Sequence, residues 1–390
     1  MRIGMRCMLS KFFESCLPLD LTAIAEQPDE HLSSSNPLGL LPTCKGVLLF
    51  ADANDTPIQL LIASNIRRTA MARLLLDDTG QTSKRGYLKA IVRKIYYSRC
   101  YNDFRSSLTH HAAAKMIYPK DFRKMLKLSR QCYVRIDTLT EWPIFQTTEK
   151  VSAAVGEKIF GPFPTRRSAN DFIQILQNAF DLCQMPQLIA HRNKAASCSY
   201  LQMKTCPGPC MGQISRQEYL EQISAAIDAA SGNSEKQKTV LSQNMQFAAE
   251  KMDFEKAQHI KKQLAQLDLL GKKKYLWTGE MASLNILHID RSAKVRVKKR
   301  KKMQMFSAFV VDSGGVVEIG DFSLESMDDL HETVVRIAAK PKICPPCELF
   351  AIASYHLYRN NPRGVWINCS HDLVPSGEEI GEIIRERFDI

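Results

Sequence analysis

Four cysteines on one short segment constrain this chain more than any other feature in it. Cys183, Cys198, Cys206 and Cys210 follow the spacing C-x14-C-x7-C-x3-C, and the last two bracket the stiff turn CPGPC. Four thiolates this close in sequence can close one tetrahedral zinc site or hold an iron–sulfur cluster, and either would pin the local fold. Pro207 and Pro209 stiffen the turn, while Gly208 lets backbone amides approach a sulfur. The competing reading is four buried apolar cysteines with no ligand. The full set of 12 cysteines has irregular spacing and no sign of secretion, so it reads as thiols or metal ligands rather than as a disulfide framework. The opening stretch MRIGMRCMLSKFFESCLPLD has no long apolar core followed by a small-residue cleavage site. No run approaches the roughly 18 apolar residues of a membrane span. A cytoplasmic location without a membrane partner is the expectation.

Charge points to the class of partner. With 53 Lys+Arg against 41 Asp+Glu, the net charge is +12 and the isoelectric point about 9.1, which favours a polyanion such as nucleic acid over an acidic small molecule. The basic residues concentrate in KVRVKKRKK (Lys294 to Lys302), where Lys298, Lys299, Arg300, Lys301 and Lys302 would track a phosphate backbone from a strand edge or hairpin tip. A solvated loop is the alternative for that run.

At 390 residues with 45% hydrophobic composition, the chain has room for two or three globular domains. Residues 1–38, an amphipathic start followed by EQPDEHLSSSNP, are expected to form a mobile lead-in. GVLLF and IQLLIA flank the turn-rich ADANDTP and predict a β-hairpin; CYVRIDTL and WPIFQTT predict a further strand pair, closing a small mixed domain at 39–150. Region 151–230 opens with GPFPT, continues with a helix carrying Ala169, Phe172, Ile173, Ile175, Leu176 and Phe180 on one broad face, and contains the cysteines. After the polar joint SGNSEKQK, residues 239–270 predict an antiparallel helix pair. One stripe there is Met245, Ala248, Ala249 and Met252, the other Ala257, Ile260, Leu264 and Leu267, with Asp253 capping the second helix and Glu255 in its first turn. Such a pair serves equally as an internal element or as an interaction module. Residues 280–390 predict a small α/β piece, with strands at Leu284 to Ile289, Phe306 to Asp312 and Val316 to Phe322. Cys344-Pro345-Pro346-Cys347 has redox or metal spacing, but no second CxxC answers it. The fold class is α+β.

These blocks stand in an order that resembles the UvrC family, the nuclease subunit of the bacterial excision-repair excinuclease. LLPTCKGVLLFADANDTPIQLLIASNIRR resembles the start of that family's GIY-YIG nuclease domain, and GEKIFGPFPTRRSANDFIQILQNAFDLC resembles its next block. CSYLQMKTCPGPCMGQISRQEYLEQI is similar to the cysteine region, and Asn244 to Leu270 to the UVR motif. The resemblance implies a [4Fe-4S] cluster on Cys183, Cys198, Cys206 and Cys210, with zinc left open by the spacing. It also implies a hairpin that docks on a UvrB-type subunit through Met252, Phe254, Glu255 and Ala257.

At the catalytic positions the chain departs from the family. The GIY tyrosine falls on Leu48, the YIG tyrosine on Gln59 with its glycine on Leu61, the catalytic arginine on Thr69 and the metal-binding glutamate on His110. Phosphodiester hydrolysis needs a carboxylate for a hard cation, a base and a cation over the phosphate, so no catalytic Mg is expected. Asn65, Arg67 and Arg68 retain the means to meet a phosphate, with a solvated helix face as the alternative. Adjacent His110 and His111 point to different faces of a helix. The strands FSAFVVDSGGVVEIGDFSL resemble the entry to the family's RNase H-like region, where Asp312 alone does not build a two-metal site. The expected protein binds DNA and a UvrB-type partner without cutting. The rivals are an active excinuclease subunit with a rearranged site and a metal-cluster regulator that binds nucleic acid.

Overall fold

A strand covered on both faces need not alternate polar and apolar residues, and GVLLFA is apolar throughout. β2 (Gly46–Ala51) is accordingly buried along its whole length, between β3 (Pro57–Ala63) and β4 (Lys94–Arg99). β1 (Ser15–Pro18) completes an antiparallel sheet of order β1-β4-β2-β3. The expected hairpin turn is held by Asp52, whose Oδ1 accepts from the amides of Asn54 (2.7 Å) and Thr56 (2.8 Å). Leu48, Phe50 and Ile95 face α1 (Ile66–Leu74), whereas Val47, Leu49, Leu60 and Tyr96 face α2 (Asp103–Ile117). Ala113 and Ala114 let α2 lie close on the sheet. This computed structural model describes residues 7–19, 37–74, 86–126, 131–151, 154–189, 198–203, 205–297, 302–339, 348–369 and 373–390.

The second sheet redraws the expected limit at residue 150. β5 (Cys132–Asp137) and β6 (Gln146–Thr148), expected to close the first domain, hydrogen-bond instead into the order β6-β5-β7-β8 with β7 (Glu157–Phe163) and β8 (Gly279–Glu280). Val134 sits opposite Phe160, and both join the core under α3 (Arg166–Ala179) with Phe172 and Leu176. Burying each such side chain contributes about 1.5–3 kcal/mol, which a pair of strands left on the first sheet would forgo. Thr165 caps α3 by accepting from the Ser168 amide at 3.1 Å.

α4 (Arg216–Asp228) begins with a reciprocal capping box between Ser215 and Glu218. A wide helical turn with Gly232 at φ 108° then breaks the chain direction ahead of α5 (Ser234–Glu250) and α6 (Phe254–Asp268). The joint SGNSEKQK is therefore only partly a joint. Its Gly232 makes the break, but Glu235, Lys236, Gln237 and Lys238 are good helix formers and extend α5 several residues before position 239.

The C-terminal sheet runs β11-β10-β9-β12, all antiparallel, from β9 (Asn285–Arg296), β10 (Lys302–Asp312), β11 (Gly315–Phe322) and β12 (Val365–Asn368). β9 extends well past Ile289, its expected end. α7 (Met327–Ala338) and α9 (Gly377–Phe388) cover one face through Leu330, Val334, Ile380 and Ile384. α8 (Glu348–Leu357) covers the other, in a core shared by Phe104 of α2, Tyr133 of β5, Ile286 of β9 and Phe350. The second and third sheets thus share one apolar cluster with α2 of the first region. Around it, Arg105 reaches Asp321 at 2.6 Å, and Glu348 receives Lys115 at 2.9 Å and Arg123 at 2.6 Å.

Candidate functional site

Register decides what the first sheet can do. Leu48 pairs with Leu61 and with Tyr97, and Phe50 pairs with Gln59, so these side chains share the face turned to α1. Leu48 is wholly buried there, within a cluster of apolar side chains. Thr69 donates its amide to Asn65 at 2.9 Å within α1 and brings no cation. His110 lies across the sheet, on α2, with its ring hydrogen-bonded to the Leu60 carbonyl. Burial holds its pKa below the usual histidine value, against the pull of that carbonyl. The sheet therefore separates Gln59 from His110, although each carries a buried polar atom without a partner, Gln59 Oε1 and His110 Nδ1. His111 is turned to the C-terminal region, 3.4 Å from Glu348.

The predicted phosphate contacts are partly committed to the fold. Asn65 caps α1, its Oδ1 accepting from the Arg68 amide at 2.9 Å while its Nδ2 donates to the Thr43 carbonyl at 3.1 Å. Arg67 Nε donates to the Leu41 carbonyl at 2.7 Å. Arg68 is exposed. Of the basic run, Lys294, Arg296 and Lys302 are exposed at the paired ends of β9 and β10, with Lys302 opposite Arg296. Lys298, Lys299, Arg300 and Lys301 lie outside the described residues, as does the Cys344 to Cys347 motif. Asp312 Oδ1 accepts from the Gly314 amide at 2.8 Å and so holds the β10–β11 turn.

The four cysteines come together. Cys183 follows α3, Cys198 precedes a short helical turn, and Cys206 and Cys210 flank Gly208, which sits at φ 73°. All four are buried. The Cys183 thiol hydrogen-bonds to Cys206, and with the Gly208 and Gln184 amides it holds the Cys206 thiol down to about 7 against the cost of burial. Cys183 is correspondingly pushed up, first by that bond and then by burial. Burial also raises Cys210, with Cys206 and Cys198 adding to the rise. A side chain on Gly208 would collide with Leu201 and Gln213, so the turn that directs its amide to sulfur requires glycine on two counts. The sulfurs are arranged as interacting thiols: among the described residues, no group of three or more His, Cys, Asp or Glu side chains stands at metal-ligand spacing.

The helix pair presents an apolar tip. Met252 takes the left-handed conformation (φ 59°), and Asp253 Oδ1 caps α6 from the Lys256 amide at 3.1 Å. Met252 is 73% exposed, Phe254 64% and Phe247 56%, with the Lys251 ammonium 4.1 Å from the Phe247 ring centre. Met252 is thus a turn residue rather than part of an inner stripe. Glu255 is exposed and Ala257 half-buried. The inner face buries Ile260 and Leu267, and His259 and Gln263 each reach Asp181 at 2.9 Å, two residues before Cys183.

Sequence reasoning missed a buried ionic group where the first and last regions meet. Asp103 pairs with Lys45 and, at 2.8 Å, with Arg363, and these contacts hold its carboxyl low despite burial. Asp290 beside it is 8% exposed, and burial together with the Asp103 charge pushes its pKa up. Nothing local in the sequence brings these residues together.

No helix among the described residues is long and apolar enough to cross a membrane. Residues 131–229 match the family model for the UvrC/Cho excinuclease middle domain. A UvrABC system protein C of Coxiella burnetii (strain Dugway 5J108-111) is 28% identical over 258 residues, which is 65% of this chain and 41% of that protein. The Alcanivorax borkumensis protein of the same name is 28% identical over 158 residues, 40% of this chain and 26% of its own length. That of Limosilactobacillus reuteri (strain DSM 20016) is 25% identical over 334 residues, 83% of this chain and 53% of its own length. The chain thus spans about half or less of the length of these relatives. No solved structure matches it significantly. The matched middle domain holds β5 to β7 and all four cysteines, and through it and these relatives the chain is similar to UvrC proteins.

Proposed function

We propose that the chain acts in nucleotide excision repair by binding, holding DNA and a UvrB-type partner without cutting through its own GIY-YIG-like sheet. The observation that carries this reading is the helix-hairpin tip, where Phe247, Met252 and Phe254 stand exposed around a capped turn. Large apolar side chains grouped at a rigid tip are what a partner groove takes up. The sheet supports the second half of the reading. Leu48, Gln59 and Thr69 supply neither phenol nor arginine, and His110 lies on the opposite face from Gln59. Exposed Arg68, Lys294, Arg296 and Lys302 supply cations for a phosphate backbone.

Cys183, Cys198, Cys206 and Cys210 would hold a [4Fe-4S] cluster, with zinc as the alternative. The donor set fits. Four thiols are buried within interaction range of one another, and backbone amides of Gln184, Met185, Gly208 and Met211 point at three of the sulfurs, as thiolate charge requires. When bound, the group would staple the middle domain beside the hairpin. Anaerobic purification with iron and sulfide analysis tests this; one equivalent of zinc without visible absorbance would sink the cluster.

The decisive experiment is incision of a damaged duplex with UvrA, UvrB and Mg²⁺ or Mn²⁺, run alongside direct binding of UvrB. Binding without incision is expected. Metal-dependent cutting abolished by a substitution at His110 or Asp312 would overturn the reading.

A further inference from the structure

A cavity of about 580 Å³ opens where the middle and C-terminal regions meet, between Gln131 and Phe163 on one side and α8 with its following turn on the other. We propose that it takes a single unpaired nucleobase of a DNA strand, an inference that rests on the DNA-binding reading above. Its volume falls within the range of sites that enclose small ligands.

Three features define the ligand. The first is a stacking surface: Tyr355 is 62% exposed, and the Arg359 guanidinium lies 5.4 Å from its ring centre. An exposed ring beside an arginine suits a planar aromatic ligand joined to a phosphate, because the base stacks while the guanidinium meets the anion. The second is an unspent hydrogen-bonding group, since Ser354 is 5% exposed, lines the cavity and has an Oγ with no partner. A buried hydroxyl of that kind is costly unless something else bonds it. The third is the rim, where Asn360 and Asn361 carry amides that both donate and accept, as the edge of a base demands. The cavity also lies at the C-terminal end of α8, whose carbonyls favour donors such as exocyclic amino groups.

The walls are fixed. Tyr358 Oη donates to the Pro162 carbonyl at 2.7 Å, and the Tyr358 amide donates to the Ser354 carbonyl at 3.0 Å. Arg359 lies 3.6 Å from Asp103 Oδ2, an ion pair that orients it. Paired bases cannot enter a site of this kind, so the pocket selects single-stranded or extruded bases.

The test uses the full chain and a short single-stranded oligonucleotide carrying one 2-aminopurine, with the matching duplex as comparison. Quenching of the probe, tighter binding of the single strand, and roughly tenfold weaker binding with loss of quenching in Tyr355→Ala are expected. Tyr355→Phe should keep both signals. Ser354→Ala should melt no lower than the parent yet bind more weakly, a combination that a purely structural serine would not give. If the parent binds the oligonucleotide and Tyr355→Ala binds and quenches equally well, the pocket is not a base site, while the DNA-binding reading stands. If the parent binds no oligonucleotide at low salt, the DNA-binding reading falls and the pocket proposal falls with it.

Discussion

Two buried histidines predict how this protein responds to acid. His288 stacks on Trp366 with ring centres 3.8 Å apart, donates Nδ1–H to the Val365 carbonyl at 2.9 Å, and leaves Nε2 buried without a partner. His356 lies 3.0 Å from Ser107 Oγ of α2, in contact with the first region. Burial, reinforced slightly by His356, depresses His288 to about 3 from 6.5, while the Val365 carbonyl works against it. Burial together with Arg359, Arg363 and Lys45 depresses His356 to about 4, against the attraction of Asp103. Both are therefore neutral in the folded chain at pH values where the unfolded chain protonates them. Their contribution to stability is complete above pH 6.5 and is lost as pH falls toward the folded values. Each group costs about 1.4 kcal/mol per pH unit inside that window. Between pH 6.5 and 5 the two together should remove on the order of 4 kcal/mol, a large share of the 5–15 kcal/mol typical of a folded domain. Stopping at pH 5 keeps the measurement above the ordinary carboxylate range of Asp103, Asp321 and Glu348, each of which is held lower still by its cations. Urea unfolding at half-unit pH steps, followed by tryptophan emission, reads the slope directly. His356→Gln should lower that slope by the share of one such group, about 1.4 kcal/mol per pH unit. A slope near zero in the parent, or one unchanged by His356→Gln, would mean that these rings are not neutral and buried as described.

Other perturbations separate structure from function. Leu48→Tyr, which puts a phenol into a fully packed core, should cost about 1–3 kcal/mol in denaturant melts and bring no incision. Asn65→Ala should lower stability by about 1 kcal/mol through loss of the α1 cap, as read by thermal melting. Phe254→Ala should leave stability within about 0.5 kcal/mol, because the ring is exposed, yet weaken UvrB binding more than tenfold in a surface-binding assay. Cys206→Ser should abolish iron uptake during anaerobic reconstitution and lower the melting temperature of the loaded protein; unchanged iron content would rule Cys206 out as a ligand.

What could be read from the sequence was local. Asp253 was legible as a cap because its partner amide is three residues away, and the CPGPC turn because Pro207, Gly208 and Pro209 limit their own dihedrals. The first hairpin and the β10–β11 hairpin were legible for the same reason: short loops leave few ways to pair. Tertiary pairing settled the remainder. CYVRIDTL joined the middle sheet because Val134 could bury against Phe160 and α3, a choice between sheets that the strand's own residues do not express. Arg67 carries the same charge as Arg68, but only the packed loop beneath α1 shows that its Nε is already bound to Leu41.

The site follows the same division. The identities of Leu48, Gln59 and Thr69 were visible along the chain, as was the close spacing of the four cysteines, because each depends only on which residue stands at which position. The separation of His110 from Gln59 by the sheet, the approach of Asp290 to the Asp103 charge, and the cavity beside Tyr355 were not visible. Those features join residues far apart in the chain, and their contacts form only when the entropy of closing long loops is outweighed by a shared apolar core. Hydrogen bonds and dihedral limits within a few residues are properties of the sequence; which distant surfaces meet is a property of how all the surfaces pack at once.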